Sequence, residues 1–112
     1  MSEKVLMLSG DLLFASRVRA AAESAGKSFS LSGNLPDQPD GDVEYVVVDL
    51  ATRFKVVEGL TVRCQDVCPT AKVVAFGPHV QVDRLKAARE EGIQTVLTRG
   101  QFDSSLGTLF AS

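Results

Sequence analysis

The stretch that decides the fold is Tyr45-Val46-Val47-Val48-Asp49-Leu50, an apolar run that closes on a carboxylate. An uninterrupted run rich in β-branched residues is typical of a strand that is buried on both faces of a parallel sheet. In such sheets ligands collect at the carboxyl ends of the strands, which is where Asp49 falls. Two interpretations of Asp49 therefore stay open: a functional acid, or a residue that ends the strand and caps the next segment.

Short apolar runs and amphipathic segments alternate on both sides of this stretch, with turn residues between them. The predicted strands are 5–8, 28–31, 45–49, 72–76 and 95–98. The predicted helices are 12–25, 56–67, 81–91 and a terminal one from about 103 or 104 to 110. Residues 32–42 hold two Pro and two Gly, which predicts a loop or one short helical turn. The alternation predicts an α/β three-layer sandwich with a parallel sheet and right-handed crossovers.

Length and composition favour one globular domain over residues 1–112, with 45% hydrophobic and 23% charged residues. The net charge of -2 comes from interspersed acids and bases, so neither nucleic acid nor a membrane surface is an expected partner. The N-terminal apolar run is too short for a signal peptide, which predicts a cytoplasmic protein. Cys64 and Cys68 have no further metal ligands in a zinc-site spacing, which favours reduced structural thiols.

Five segments, which together span nearly the whole chain, carry a family resemblance. They are Lys4-Val5-Leu6-Met7-Leu8-Ser9-Gly10-Asp11, the stretch ending at Leu50, Val73-Val74-Ala75-Phe76-Gly77, Leu85-Lys86-Ala87-Ala88-Arg89-Glu90-Glu91-Gly92 and Val96-Leu97-Thr98-Arg99. This succession resembles the CheY-like receiver domain of bacterial response regulators. The resemblance implies a flavodoxin-like fold with strand order 2-1-3-4-5. It also implies that Asp49 stands where receivers of two-component phosphorelays accept a phosphoryl group from a histidine kinase.

The chain departs from that family where the metal ion is held. Receivers carry a pair of acids after the first strand to hold Mg²⁺, and the matching residues here are Ser9 and Gly10. Mg²⁺ prefers hard, charged oxygen ligands, and phosphoryl transfer depends on its charge. Asp11, next to the lost pair, either substitutes in part as a Mg²⁺ ligand beside Asp49 or N-caps the first helix.

Two further receiver positions are altered. The hydroxyl residue that ends the fourth strand in the family corresponds to Gly77, which has no side chain to follow a phosphoryl group. The lysine that ends the fifth strand corresponds to Arg99, followed by Gly100 where a proline is usual. Arginine keeps the positive charge but binds with a different, planar geometry. Arg99 is therefore either a functional cation or a member of a surface ion pair with Asp49 or Asp11.

The favoured interpretation is a degenerate receiver, a stand-alone signalling domain that is not an enzyme. It would work by binding a protein, and Arg99 would satisfy Asp49 in place of a metal ion. One alternative is a phosphorylatable receiver with Mg²⁺ held by Asp11 and Asp49. Another is a small anion or nucleotide binder that uses the loops 9–11 and 77–79. An enzyme with His79 as general base is disfavoured because no supported nucleophile is visible.

Partners are implied only by the resemblance. A histidine kinase or a separate output protein is the expected partner, and no cofactor is expected unless Mg²⁺ serves phosphorylation. Receivers commonly dimerise or contact their outputs through the face made by their fourth helix, fifth strand and fifth helix, which correspond here to the predicted helix 81–91, the strand 95–98 and the terminal helix. A homodimer through that face is therefore possible, and the residues that it would present are Arg84, Arg89, Val96 and Phe102.

Overall fold

Five parallel strands form the centre of the structure in the order β2-β1-β3-β4-β5. The computed structural model describes residues 3–39 and 41–111. The strands are β1 (Glu3–Leu8), β2 (Ser28–Ser32), β3 (Asp42–Asp49), β4 (Lys72–Gly77) and β5 (Thr95–Thr98). This order, with helices between the strands, is the flavodoxin-like arrangement that the resemblance implied, and that prediction is confirmed.

Helices cover both faces of the sheet. They are α1 (Leu12–Ser24), α2 (Leu50–Arg53), a 3₁₀ helix (Phe54–Val57), α3 (Leu60–Val67), α4 (Val82–Glu90) and α5 (Arg99–Leu109). One core cluster holds the buried side chains of α1 and α5, and the other holds those of α2, α3 and α4. The three-layer sandwich is therefore confirmed. In the part of the chain that the structure describes, no helix is both long and apolar enough to cross a bilayer.

Strand β3 shows why its sequence is apolar without interruption. Val46 and Val48 lie in the core cluster on one face of the sheet, while Tyr45 and Val47 lie in the cluster on the other. All four are at most 5% exposed. Because β3 is the central strand and successive side chains alternate between faces, neither set can be polar.

The segment after β3 differs from the predicted helix 56–67. A short helix begins directly at Leu50, a 3₁₀ turn follows, and α3 begins only at Leu60. Gly59 has φ +74°, in the left-handed region that favours glycine, and this conformation separates the 3₁₀ turn from α3. Between β2 and β3, residues 33–39 and 41 form neither helix nor strand, as predicted.

Two helix predictions need correction. The terminal helix begins at Arg99 rather than near 103, because Thr98 and Gln101 form a capping box that starts it directly after β5. In α1, the near-helical spacing of Leu12, Leu13 and Val18 in the sequence predicts one apolar side for all three, but Leu12 and Leu13 are 71% and 86% exposed. The buried stripe of α1 instead consists of four residues: Phe14, Ala15, Val18 and Ala22.

The two cysteines are free and buried at the end of α3. Burial raises the pKa of the Cys64 thiol to about 12, and burial also raises the pKa of Cys68. Thiols with such pKa values stay protonated at neutral pH and are poor nucleophiles. Their placement agrees with the structural role that the sequence favoured.

Candidate functional site

Asp49 is the last residue of β3 and the N-cap of α2. Its Oδ1 accepts a hydrogen bond from the Ala51 backbone N–H at 3.0 Å, so the capping interpretation is correct in its geometry. The residue is 1% exposed. A buried carboxylate needs hydrogen bonds to compensate for lost hydration. Oδ2, the other oxygen of Asp49, accepts the remaining ones.

Two hydroxyls donate to Oδ2 of Asp49. Ser9 Oγ lies 2.8 Å away, at the end of β1, and Thr52 Oγ1 lies 2.9 Å away, in the first turn of α2. Each hydroxyl also accepts a backbone N–H from the β1–α1 connection, Asp11 to Ser9 at 3.0 Å and Gly10 to Thr52 at 2.9 Å. Since a hydroxyl has a single proton, both relays run from a backbone amide through a hydroxyl to the carboxylate.

The sequence interpretation missed Thr52. The available signal was its place three residues after Asp49, the position whose side chain turns back toward the N-cap in a capping box. Glu or Gln is usual at that position, so a threonine is a weak indication by itself. In the sequence, Ser9 was noted because it stands where receivers carry an acid. In the structure Ser9 is 4% exposed and donates a hydrogen bond to Asp49.

Asp11 caps α1 and faces Arg99. Its Oδ1 accepts the Phe14 N–H at 3.0 Å, and its Oδ2 lies 3.5 Å from Nη2 of Arg99. The Arg99 guanidinium also stands 4.3 Å from the centre of the Phe14 ring. Both members of the Asp11–Arg99 ion pair are partly exposed, which limits its contribution to stability.

The sequence left two ion-pair partners open for Arg99, and the structure shows the pair with Asp11 rather than direct contact with Asp49. The guanidinium pairs with Asp11, whereas Ser9, Thr52 and the Ala51 amide satisfy Asp49. The physical reason is the capping box at Thr98, which makes Arg99 the first residue of α5. From there its side chain extends to the start of α1, where the guanidinium lies over the ring of Phe14.

The side-chain oxygens of Asp49, Asp11 and Ser9 are poorly suited to bind Mg²⁺. Both oxygens of Asp49 and both oxygens of Asp11 already contact protein donors, and one of those donors is the Arg99 cation. Ser9 adds only a neutral hydroxyl, whereas Mg²⁺ is bound through charged oxygens in near-octahedral geometry. Among residues 3–39 and 41–111, no three His, Cys, Asp or Glu side chains lie close enough together to hold a metal ion.

Leu50 fills the space beside Gly77, at the end of β4. A Cβ atom on Gly77 would stand 3.2 Å from Cβ of Leu50, closer than most real contacts. Leu50 itself is completely buried. A glycine at position 77 therefore fits beside the large apolar side chain that follows Asp49.

The remaining loop residues of the sequence interpretation, Gly10 and His79, do not hydrogen-bond to Asp49 directly. Gly10 lies under the guanidinium of Arg53, whose Nη2 would be 3.5 Å from a Cβ added there. Its N–H donates to Thr52, as described above. His79 is exposed in the loop after β4, which is where the sequence placed it.

No protein-family model and no curated protein sequence matches this chain. Solved structures do match. A response regulator from Thermotoga maritima has a TM-score of 0.63 at 14% identity, over 88% of this chain and 86% of its own. A response regulator from Burkholderia pseudomallei, with a phosphorylated aspartic acid, calcium and citrate, has a TM-score of 0.65 at 14% identity, over 98% and 69%.

A third match is the beryllofluoride-activated NtrC4 receiver domain dimer, with a TM-score of 0.65 at 16% identity. The match covers 96% of this chain and 95% of that domain, so the two are similar from end to end. At these identities the similarity is one of fold. This chain has the CheY-like fold of response-regulator receiver domains.

Proposed function

We propose that this chain is a receiver-like signalling domain that binds a protein partner in one fixed conformation, without phosphoryl transfer to Asp49. The observation that carries this proposal is the state of the Asp49 carboxylate, which is 1% exposed and accepts three protein hydrogen bonds. A carboxylate that is buried and hydrogen-bonded in this way is shielded from a phosphoryl donor in solution. Two backbone amides hold the hydroxyls that cover it, so the closed arrangement is built into the β1–α1 connection.

The surroundings of Asp49 also lack the charge that phosphoryl transfer needs. The reaction depends on cations that neutralise the phosphoryl oxygens, and receivers supply Mg²⁺ and a lysine for this purpose. Here Ser9 and Gly10 replace the metal-binding acids, and Arg99 is engaged by Asp11. Gly77 removes the hydroxyl that would follow the phosphoryl group.

Two of the four residues expected on the α4–β5–α5 face for partner contact are not available there. Phe102 is fully buried and stacks on Phe76, and Arg84 donates to the Leu50 and Ala51 carbonyl oxygens, so neither is a free surface group. Val80, in the turn before α4, and Val82, the first residue of α4, are instead 74% and 62% exposed. Exposed valines beside charged helix surface are a suitable centre for a protein contact.

A phosphorylation assay tests the proposal. The protein is incubated with acetyl phosphate and Mg²⁺ and measured by intact mass, with a phosphorylatable receiver domain as positive control in the same reaction. We expect no phosphoryl adduct on this chain under conditions that modify the control. An adduct that disappears in Asp49→Asn would overturn the proposal and support the alternative of a phosphorylatable receiver.

A further inference from the structure

A groove lies beside the Asp49 network, between the β2–β3 connection and the segment formed by α2 and the 3₁₀ helix. It has a volume of about 490 Å³, and its walls include Gly33 and Asn34 on one side and Thr52 on the other. Ligand sites commonly enclose volumes of this order. We refer to this space as the cationic groove, because three positively charged side chains line it: Arg53, Lys55 and Arg84.

No acidic side chain lines the cationic groove. Within the described ranges, none of its three cations forms an ion pair, whereas Arg17, Lys27, Arg63 and Arg99 each have a carboxylate partner. Like charges gathered around one concave space create a positive potential that attracts anions. The groove therefore selects for negative charge.

Arg53 has unused hydrogen-bonding capacity. Its Nε–H is buried and has no acceptor among the described residues, and Nη1 makes only a 3.4 Å contact with the Thr52 carbonyl oxygen. Its guanidinium is held between Gly10 and Gly33, where added Cβ atoms would lie 3.5 Å from it. Buried N–H groups without acceptors are rare in native structures, so the Arg53 guanidinium, which lines the groove, has charge-assisted hydrogen bonds that the described protein groups do not use.

Arg84 is fixed in place before any ligand binds. Its Nη1 donates to the carbonyl oxygens of Leu50 at 2.8 Å and Ala51 at 3.1 Å, and its guanidinium lies 5.1 Å from the centre of the Phe54 ring. A cation that is already immobilised loses little conformational entropy on binding. Lys55 is exposed and adds a mobile third charge.

From these observations we infer that the cationic groove binds a small phosphate-bearing molecule of the phosphate monoester class. A phosphate monoester carries up to two negative charges and several acceptor oxygens, which match arginine forks better than a single carboxylate does. The volume of about 490 Å³ leaves room for an organic group, such as a nucleoside, beyond the phosphate. The inference is independent of whether Asp49 is phosphorylated, because Asp49 does not line the groove.

Titration with defined probes tests the inference. Adenosine monophosphate, inorganic phosphate and uncharged adenosine are titrated into the full chain and followed by calorimetry at physiological salt. We expect saturable binding of at least one of the two phosphates and none of adenosine. We also expect Arg53→Gln to weaken that binding about tenfold, the effect of losing one charge-assisted hydrogen bond.

Lys86→Gln is the matched control, since it removes one positive charge from the exposed side of α4 outside the groove. It should change the affinity less than twofold, an order-of-magnitude bound for a screened surface charge. Circular dichroism of Arg53→Gln confirms that the variant folds. Absence of binding by both phosphates, tight binding of adenosine alone, or equal weakening by both substitutions overturns the inference.

Discussion

The Ser9 hydroxyl lies 2.8 Å from Oδ2 of Asp49 and donates its proton to that oxygen. Receivers that bind Mg²⁺ have acids near this point, and two neighbouring carboxylates repel unless a cation lies between them. A serine removes the repulsion and supplies a donor, so the carboxylate is satisfied without a metal ion. In the folded chain the Asp49 carboxylate is therefore enclosed by hydrogen bonds to protein donors.

Ser9→Ala should destabilise the protein. It removes a buried hydrogen bond to a charged acceptor and leaves the Asp11 N–H without its acceptor, which costs about 1–3 kcal/mol of unfolding free energy. Urea denaturation measures the change. Ser16→Ala is the control, because that hydroxyl is exposed on α1, and its removal should change stability by less than about 0.5 kcal/mol. Equal effects of the two substitutions would contradict the role assigned to Ser9.

Asp49→Asn should also destabilise the protein, although the side chains have almost the same shape. The Ser9 and Thr52 hydroxyls each accept a backbone N–H and point their own proton at Oδ2 of Asp49. Asparagine has a single acceptor oxygen, so its NH₂ faces either the two hydroxyl protons or the Ala51 N–H, and in both orientations a donor loses its acceptor. We expect a loss of about 1–3 kcal/mol in urea denaturation.

Asp66→Asn is the control for this substitution, since Asp66 is exposed on α3. A surface change of this kind should stay within about 0.5 kcal/mol of the unsubstituted protein. If Asp49→Asn were as stable as the unsubstituted chain, the three donors that we assign to the Asp49 carboxylate would be wrong.

The contrast between Asp49 and Thr52 shows what the sequence could predict and what it could not. Asp49 ends a run whose uninterrupted apolar character follows from burial on both faces, and that pattern is local in the sequence. Thr52 acquires its role from contacts with Asp49 and with Gly10, and the latter is 42 residues away along the chain. Such a partner is set by the packing of β1 beside β3, which no local pattern contains.

Arg99 shows a second limit. The sequence placed it directly after β5, where it lies, yet its partner depended on where α5 begins. A capping box of Thr98 and Gln101 starts the helix at Arg99 and directs its side chain to Asp11. Capping residues are readable from sequence, but the direction of a long side chain at a helix start depends on the neighbouring helix.

Lys27 should make the stability of this protein depend on pH. Its buried amine lies 2.8 Å from Glu3 and 2.6 Å from Glu44. The hydrogen bond from Lys27 lowers the pKa of Glu3, so the stabilisation is complete above the ordinary value of 4.5 and is lost as the pH falls through the lower, folded-state pKa. The pKa of Lys27 is raised, chiefly by its hydrogen bond to Glu3. The contribution of Lys27 to stability is therefore complete below pH 10.5, its ordinary pKa, and is lost as the pH rises through the folded-state pKa.

Lys27→Met should remove the Glu3 part of this pH dependence. Urea midpoints measured from neutral pH down to well below 4.5 should fall less steeply for the variant than for the unsubstituted chain. Lys86→Met removes an exposed lysine on α4 and should leave the profile unchanged. Parallel acid profiles for the unsubstituted chain and Lys27→Met would show that the Lys27 ion pairs do not cause the dependence.

Self-association through the α4–β5–α5 face should depend on the valines at the start of α4. If a second copy binds there, Val82→Asp places a charge in an apolar contact and should lower the dimer fraction in sedimentation velocity. Val62→Asp is matched to it, because Val62 is 66% exposed but lies on α3. A monomer at every concentration, or an equal loss of dimer with both variants, would count against this face.

Gly77→Ala should destabilise the protein even though most glycine to alanine changes in regular structure do not. The new Cβ would meet Cβ of Leu50 at 3.2 Å, and Leu50 is fully buried and cannot move aside freely. Overpacking of this kind costs about 1–3 kcal/mol, which exceeds the gain of about 0.4–1 kcal/mol from a less flexible unfolded chain. We therefore expect a net loss of about 1 kcal/mol in urea denaturation, the difference between those two ranges.

Gly107→Ala provides the opposite expectation from the same chemical change. Gly107 lies in α5, and nothing lies within 4 Å of a Cβ added there. Alanine should therefore stabilise the helix by up to about 1 kcal/mol. Because both substitutions add one methyl group, opposite signs would isolate the contact with Leu50 as the cause. A gain in stability from Gly77→Ala would mean that Leu50 moves aside, and that its bulk does not require a glycine at position 77.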